Sequence, residues 1–299
     1  MTKADAVTDT RRVDTPHGRV FVRDVPGEDP PIVLMHGFPD DHRIYDRLVP
    51  LLAPRRAVAF DFLGYGRSDR PDRFEFAPNE HVGELAAVLD ELGLARSVIV
   101  GHDLSGPDAV EFAVGNPERV AHLVLFNTVF GHLPSLRMPE MTRLLADPAL
   151  SGLASAMVGD DDQRLWLLQY AAAQWGGLGG LEPDGLAVRS ILPQFFGDAD
   201  QPEALVAIRA WTADVFDAFD RQDALIASGA LQSLAVPVSI IFGEGDRSLS
   251  PALAAEIASL FENASLQVLS DASHYPQEDQ PELVAQLLKA AKPARGRAA

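Results

Sequence analysis

The sequence predicts an α/β protein, a mostly parallel central sheet flanked by helices, with a helical insertion dividing the sheet's sequence in two. Three observations carry this. Short apolar runs alternate with stretches of helical period, the pattern of repeated strand–helix–strand units. The stretch from about Val129 to Leu234 breaks that rhythm and holds no convincing strand. One segment, Ser97 to Gly106, runs from an apolar strand through a tight glycine turn towards a helix.

In order, strands are expected at Pro31–Met35, Arg56–Phe60, Ser97–Val100, His122–Phe126, Val236–Phe242 and Leu266–Leu269. Each reads as a continuous apolar run, as strands covered on both faces require. Between the second and third, His81 to Leu92 places Val82, Leu85, Ala86, Leu89 and Leu92 on one helical face, and Gly93 stops it. The insertion reads as helices parted by Gly176 to Gly180, Pro183, Pro193, Gly197 and Pro202. The expected organisation is a core of 1–128 and 235–299 around a helical cap of 129–234. An insertion entering after a strand's carboxyl end lies over the crevice where open α/β sheets bind ligands.

Composition narrows the function. The net charge of −18 repels nucleic acid and anionic membrane surfaces alike. With no cysteine, disulfides, thiolate catalysis and cysteine metal sites are excluded. Met1 to Arg12 is polar and lacks the apolar core of a signal peptide, and no apolar run approaches the ~18 residues that span a bilayer. A cytoplasmic protein is expected. Lys289 to Ala299 reads as a frayed basic tail. No internal repeat is visible.

The most informative segment is Ser97-Val-Ile-Val-Gly101-His-Asp103-Leu-Ser-Gly106. Its frame is that of a nucleophile elbow, in which a sharp turn lifts one side chain above the sheet and small neighbours let strand and helix backbones approach. The central residue is Asp103. An N-cap aspartate beside an ordinary turn would look the same, and Ser105, two residues late for the glycine frame, is a second candidate nucleophile. Three further segments weigh for the elbow. His36-Gly37-Phe38-Pro39 follows a strand where backbone N–H groups can form half of an oxyanion hole. Asp246 and His274 follow the last two strands, giving the chain order nucleophile, acid, histidine.

These motifs, with Asp61-Phe-Leu-Gly-Tyr-Gly-Arg-Ser-Asp69 and Ser273-His274, resemble the epoxide hydrolase and haloalkane dehalogenase branch of the α/β-hydrolase superfamily over nearly the whole chain. The resemblance implies a hydrolase acting on a largely apolar small molecule, with no metal or organic cofactor. Asp103 would attack an sp3 carbon and form an alkyl ester. His274, oriented by Asp246, would activate the water that cleaves it, and the N–H groups of Phe38 and Leu104 would hold the oxyanion. An aspartate attacking a carboxylic ester would instead give an anhydride, which disfavours ordinary esterase activity.

The leaving group divides the branch. Relatives that release halide usually carry a Trp after the nucleophile and often an Asn after His-Gly, where this chain has Leu104 and Phe38. Fluoroacetate dehalogenases carry arginines shortly after the nucleophile, where this chain has none before Arg119. Epoxide hydrolases protonate the opening ring with cap tyrosines, and the insertion offers one, Tyr170. Epoxide hydrolysis is therefore the first expectation and dehalogenation the alternative, followed by an atypical hydrolase or a non-catalytic receptor on this fold. Tyr170 is the expected proton donor, with His132, Gln174 or Trp175 as a second donor and Trp166 as a further substrate contact. A packing role for Tyr170 beside Trp166 competes with this.

Overall fold

The computed structural model describes residues 9–71, 80–175, 182, 184–198 and 202–291. Gly176 to Gly180, Pro183, Met1 to Thr8 and the tail beyond Ala291 lie outside them. Eight strands form one sheet: β1 (Asp9–Thr15), β2 (Gly18–Val25), β3 (Glu28–Met35), β4 (Arg55–Phe60), β5 (Ser97–Asp103), β6 (Val120–Thr128), β7 (Val238–Gly243) and β8 (Ala264–Leu269). Their spatial order is β1-β2-β4-β3-β5-β6-β7-β8. The sheet is parallel from β4 through β8, while β1 and β2 add an antiparallel edge.

The six expected strands are all present. β5 and β6 are buried along their whole length, as a central strand under helices must be. β8 differs: it closes the sheet as an edge, and Leu266 and Val268 are exposed. β1 and β2 were missed because they alternate or are largely polar, the pattern of a half-solvated antiparallel ribbon.

Helices α1 (Glu80–Glu91) and α2 (Ser105–Gly115) pack beside the centre of the sheet, and α8 (Pro251–Ser259), α9 (Pro276–Asp279) and α10 (Pro281–Ala290) follow later strands. The inward face of α1 is rotated from the expected one. His81, Glu84, Leu85, Val88 and Leu89 are buried, whereas Val82 and Ala86 are only half-buried. Two polar anchors cause the rotation: Glu84 accepts the Leu63 N–H at 2.9 Å, and His81 pairs with Asp108 of α2 at 3.2 Å.

Between β6 and β7 the described residues form helices and turns only: α3 (Glu140–Ala146), α4 (Ser151–Gly159), α5 (Asp161–Trp175), a π-helical turn (Ala187–Ile191), α6 (Leu192–Phe196) and α7 (Leu205–Ala227). Asp41 anchors this segment to the core by accepting from Ser190 Oγ (3.2 Å) and Gln194 Nε2 (2.8 Å). No helix among the described residues is long and apolar enough to cross a membrane.

Candidate active site

Asp103 ends β5 with φ 51°, in the left-handed region that costs an ordinary residue about 1–3 kcal/mol. Close packing holds it there. A Cβ on Gly101 would lie 2.8 Å from Gly106 Cα, and one on Gly106 would lie 1.9 Å from Thr128 Oγ1. Thr128 Oγ1 also donates to the Asp103 carbonyl at 2.6 Å. Gly37 is equally tight, since a Cβ there would meet Asp103 Cβ at 2.6 Å. These approaches seat the His36 loop directly against Asp103.

The Phe38 N–H donates to Asp103 Oδ2 at 3.0 Å, and the Leu104 N–H reaches the same carboxylate. Oδ1 lies 3.8 Å from His274 Nε2. His274 Nδ1 is 2.7 Å from Asp246 Oδ2. Asp246 Oδ1 accepts the N–H groups of Ser248 (2.9 Å) and Leu249 (3.0 Å). The five side chains and N–H groups proposed from sequence thus converge at the carboxyl ends of β3, β5, β7 and β8.

Burial shifts every ionisable group here. It raises Asp103 above the ordinary aspartate value, against the opposing pull of His274 and the two N–H donors. Burial alone would lower His274, but Asp246 first and Asp103 next carry it up to about 9. Burial would likewise raise Asp246, yet His274, Leu249 and Asn127 bring it below the ordinary value. At neutral pH His274 is held as an imidazolium against the Asp246 carboxylate. Deprotonation of His274 becomes easier once Asp103 loses its charge.

Three residues missed in the sequence belong to this site. Asn127, at the end of β6, donates to Asp246 Oδ2 (2.8 Å) and accepts the Gly243 N–H (2.9 Å), locking two strand ends together. Asp40, fully buried, accepts from Tyr275 Oη at 3.2 Å and lies 4.0 Å from His102 Nδ1. Burial and Asp103 raise Asp40 well above the ordinary range. Trp211 of α7 is 6% exposed, and its ring stands edge-on to Phe38 (5.8 Å), Tyr65 (5.2 Å) and Phe62 (5.6 Å). Trp211 and Leu104 line one cavity between α1, α2 and α7.

The expected residues of the insertion divide. Trp175 is buried, stacks on the His274 ring at 6.0 Å, and its carbonyl accepts the His274 N–H at 3.2 Å. Tyr170 and Trp166 are 38% and 56% exposed and stack on each other at 6.1 Å. On an α-helix they point about 140° and about 180° away from Trp175. No contact of the described residues brings either to Asp103. This corrects the expectation for Tyr170, whose helix turns a different face to the site. His132 is also outward, paired with Asp223 at 2.8 Å and half-exposed. Gln174 has no contact with the site among the described residues.

Ser105 does not compete with Asp103. It is fully buried, its Oγ donates to the carbonyls of His102 (2.8 Å) and Met35 (3.2 Å), and it accepts the His102 N–H (3.0 Å). Asp41, His42 and Asp61 cluster closely enough to hold a cation. Their oxygens are already engaged: Asp61 accepts from His42 and Arg67, and Asp41 from Arg43, Ser190 and Gln194. That cluster is a structural joint between core and insertion.

Residues 32–287 match the model of the alpha/beta hydrolase family. Haloalkane dehalogenase 2 of Mycobacterium tuberculosis is 28% identical over 291 residues, covering 93% of this chain and 92% of its own length. Epoxide hydrolase B of the same organism is 33% identical over 158 residues, 52% of this chain and 43% of its own. Among solved structures, an ancestral haloalkane dehalogenase superposes with a TM-score of 0.75 at 23% identity, covering 93% of this chain and 96% of its own.

Proposed function

The chain belongs to the alpha/beta hydrolase family, and within it we propose a hydrolase that uses Asp103 to displace a halide from an sp3 carbon. The observation that carries this is the Asp103 carboxylate itself, with Oδ2 held by the Phe38 N–H and Oδ1 left facing His274 Nε2. Residues 129–234 act as the cap that closes over it.

Asp103 Oδ1 attacks the carbon, the carbon–halogen bond breaks, and the halide leaves with the electron pair. Asp103 has now lost its charge in the alkyl ester, which removes one of the charges that hold the proton on His274. The neutral imidazole takes a proton from water as that water attacks Asp103 Cγ. Charge collects on Oδ2, where the Phe38 and Leu104 N–H groups already point. Collapse releases the alcohol, protonated by His274. Overall, alkyl halide and water give alcohol, halide and a proton.

A halide needs an N–H donor in a largely dry place, and the buried Trp211, which lines the same cavity as Leu104, is the indole assigned to that role. An indole is far too weak an acid to protonate an epoxide oxygen, and Tyr170 faces outward. Similarity to haloalkane dehalogenase 2 along nearly the full chain supports the same reading.

Epoxide opening is the second reading, for one reason besides the partial likeness to epoxide hydrolase B. Tyr65 is fully buried with a hydroxyl that has no hydrogen-bond partner, and its ring packs on Trp211. Single-turnover reactions with 1-bromohexane and 1,2-epoxyhexane in heavy-oxygen water decide the question. Heavy oxygen should enter the Asp103 carboxylate, and His274→Gln should accumulate the hexyl ester on the peptide containing Asp103. Label confined to product, with no adduct in the variant, would mean direct attack by water. Adduct from the epoxide alone would select the second reading.

A further inference from the structure

His274 is gripped from two directions. Its carbonyl accepts the Nε2–H of His102 at 2.9 Å, and its ring meets those of His102 at 4.9 Å and Tyr275 at 4.8 Å. With Asp246 and Asp103 beyond its two ring nitrogens, all of these partners lie outside residues 129–234. Trp175 does not. It ends α5 within the insertion, yet its carbonyl accepts the His274 N–H at 3.2 Å, and its ring lies 6.0 Å from the imidazole and within 26° of parallel to it.

Both contacts follow from the end of a helix. The last carbonyls of an α-helix have no partner in the helix itself, and the His274 N–H supplies one for Trp175. The same helix end carries partial negative charge, which favours a cation set against it. An indole face within about 6 Å attracts a cation as well. Trp175 is 4% exposed and His274 2%, so water screens neither effect strongly. Burial alone would lower His274, but Asp246, then Asp103 and Asp40, carry it up to about 9. The other ionisable rings against it stay uncharged, since burial pushes His102 well below its ordinary value and Tyr275 well above. The charged side chains of α5 itself, Asp161, Asp162 and Arg164, stand at its far end.

We propose that Trp175 is a positioning residue of the second half-reaction: seated on His274 from the insertion, it keeps the imidazole aligned between Asp246 and the Asp103 ester, so that cleavage of the ester depends on Trp175 while its formation does not. The inference rests on the reading of Asp103 as the reacting carboxylate, which gives His274 its task as base. Formation of the ester needs the Asp103 oxygen in line with the leaving carbon. Cleavage needs the Nε2 lone pair aimed at a water beside Asp103 Cγ, and a small misplacement of such a group is costly.

The test resolves the two steps in Trp175→Leu, which loses the ring, and in Trp175→Phe, which keeps one. With 1-bromohexane, Trp175→Leu should release its first bromide within about twofold of the unaltered rate but lose its adduct ~10- to 100-fold more slowly. Trp175→Phe should recover most of the decay rate. A proton NMR titration of His274 in the free protein, its resonance identified by loss in His274→Gln, needs no turnover. There Trp175→Leu should lower the midpoint by about half to one and a half pH units from about 9. Equal slowing of both steps, unslowed decay in Trp175→Leu, no recovery in Trp175→Phe, or an unmoved midpoint overturns the proposal. If neither protein forms an Asp103 adduct, the Asp103 reading fails, and the titration alone judges the hold of Trp175 on His274. Should Trp175→Leu misfold, the tryptophan emission of the unaltered protein decides. A charged imidazole against an indole quenches it, so emission should rise as His274 loses its proton and stay flat in His274→Gln; the same curve in both overturns the proposal.

Discussion

Trp211→Phe removes one N–H and leaves an aromatic ring in the same place, which makes it the sharpest test of the leaving group. The ring stands edge-on to Phe38, Phe62 and Tyr65 and lies 4.2 Å from the His81 ring. A phenyl ring keeps much of that packing, so the stability cost should stay near ~1 kcal/mol. The kinetic cost is larger. A hydrogen bond to a charged partner contributes about 1.5–3 kcal/mol, and Trp211 lines the same cavity as Leu104. Lost only as the halide gains charge, that amount slows carbon–halogen cleavage by ~10- to 150-fold. Chloride, the most charge-dense of the common leaving halides, should suffer more than bromide, and bromide more than iodide. Stopped-flow halide release with 1-chloro-, 1-bromo- and 1-iodohexane measures this step, and acid-quenched adduct on Asp103 reports ester hydrolysis, which should be spared. Tyr170→Phe should release halide at the rate of the unaltered protein. An unchanged chloride burst in folded Trp211→Phe, or an equal loss for all three halides, would refute the assignment of the indole to the leaving group.

Two further outcomes are expected. Because His274 is held at about 9 against an ordinary 6.5, the folded protein keeps a proton across that interval which the unfolded chain has released. Stability from this source is full below about pH 6.5 and is lost as pH rises to about 9. Melting temperatures of the unaltered protein should fall across that range more steeply than those of His274→Gln, and parallel slopes would contradict the shift. Asn127→Ala deletes two buried hydrogen bonds, one of them to a carboxylate, and should cost about 2–4 kcal/mol in a denaturant titration. With Asp246 less firmly held, adduct formation should persist while ester hydrolysis slows; equal slowing of both steps would make Asn127 a purely structural residue.

Much of the fold was legible because the central strands are covered over most of their length, β5 and β6 over all of it. Strands β3 to β7 therefore stand out as apolar runs. β8 interleaves Leu266, Val268 and Leu269 with Ser265 and Gln267 and has an open flank, and nothing in Leu266 or Val268 says which neighbour is missing. The rotation of α1 was hidden for a different reason. His81 and Glu84 face inward because particular partners, Asp108 and the Leu63 N–H, wait for them. Partners distant in sequence leave no local pattern.

The site divides along the same physical line. Gly37, Gly101 and Gly106 are demanded by approaches too close for any Cβ, so the elbow and its opposing loop announce themselves. Residues that act through a side chain on a helix must instead be phased, and phase is readable only where the helix has one apolar stripe. In α7, Trp211, Val215, Phe219 and Gln222 recur at near-helical spacing and are all buried, so Trp211 could have been placed on the inner face from sequence. In α5, Leu165, Trp166, Leu167, Leu168 and Tyr170 surround the axis, and composition does not distinguish the face of Trp175 from that of Tyr170. Tyr170 thus stands on a helix whose sequence does not declare its inside, while α7, which does declare it, carries an indole and no phenol.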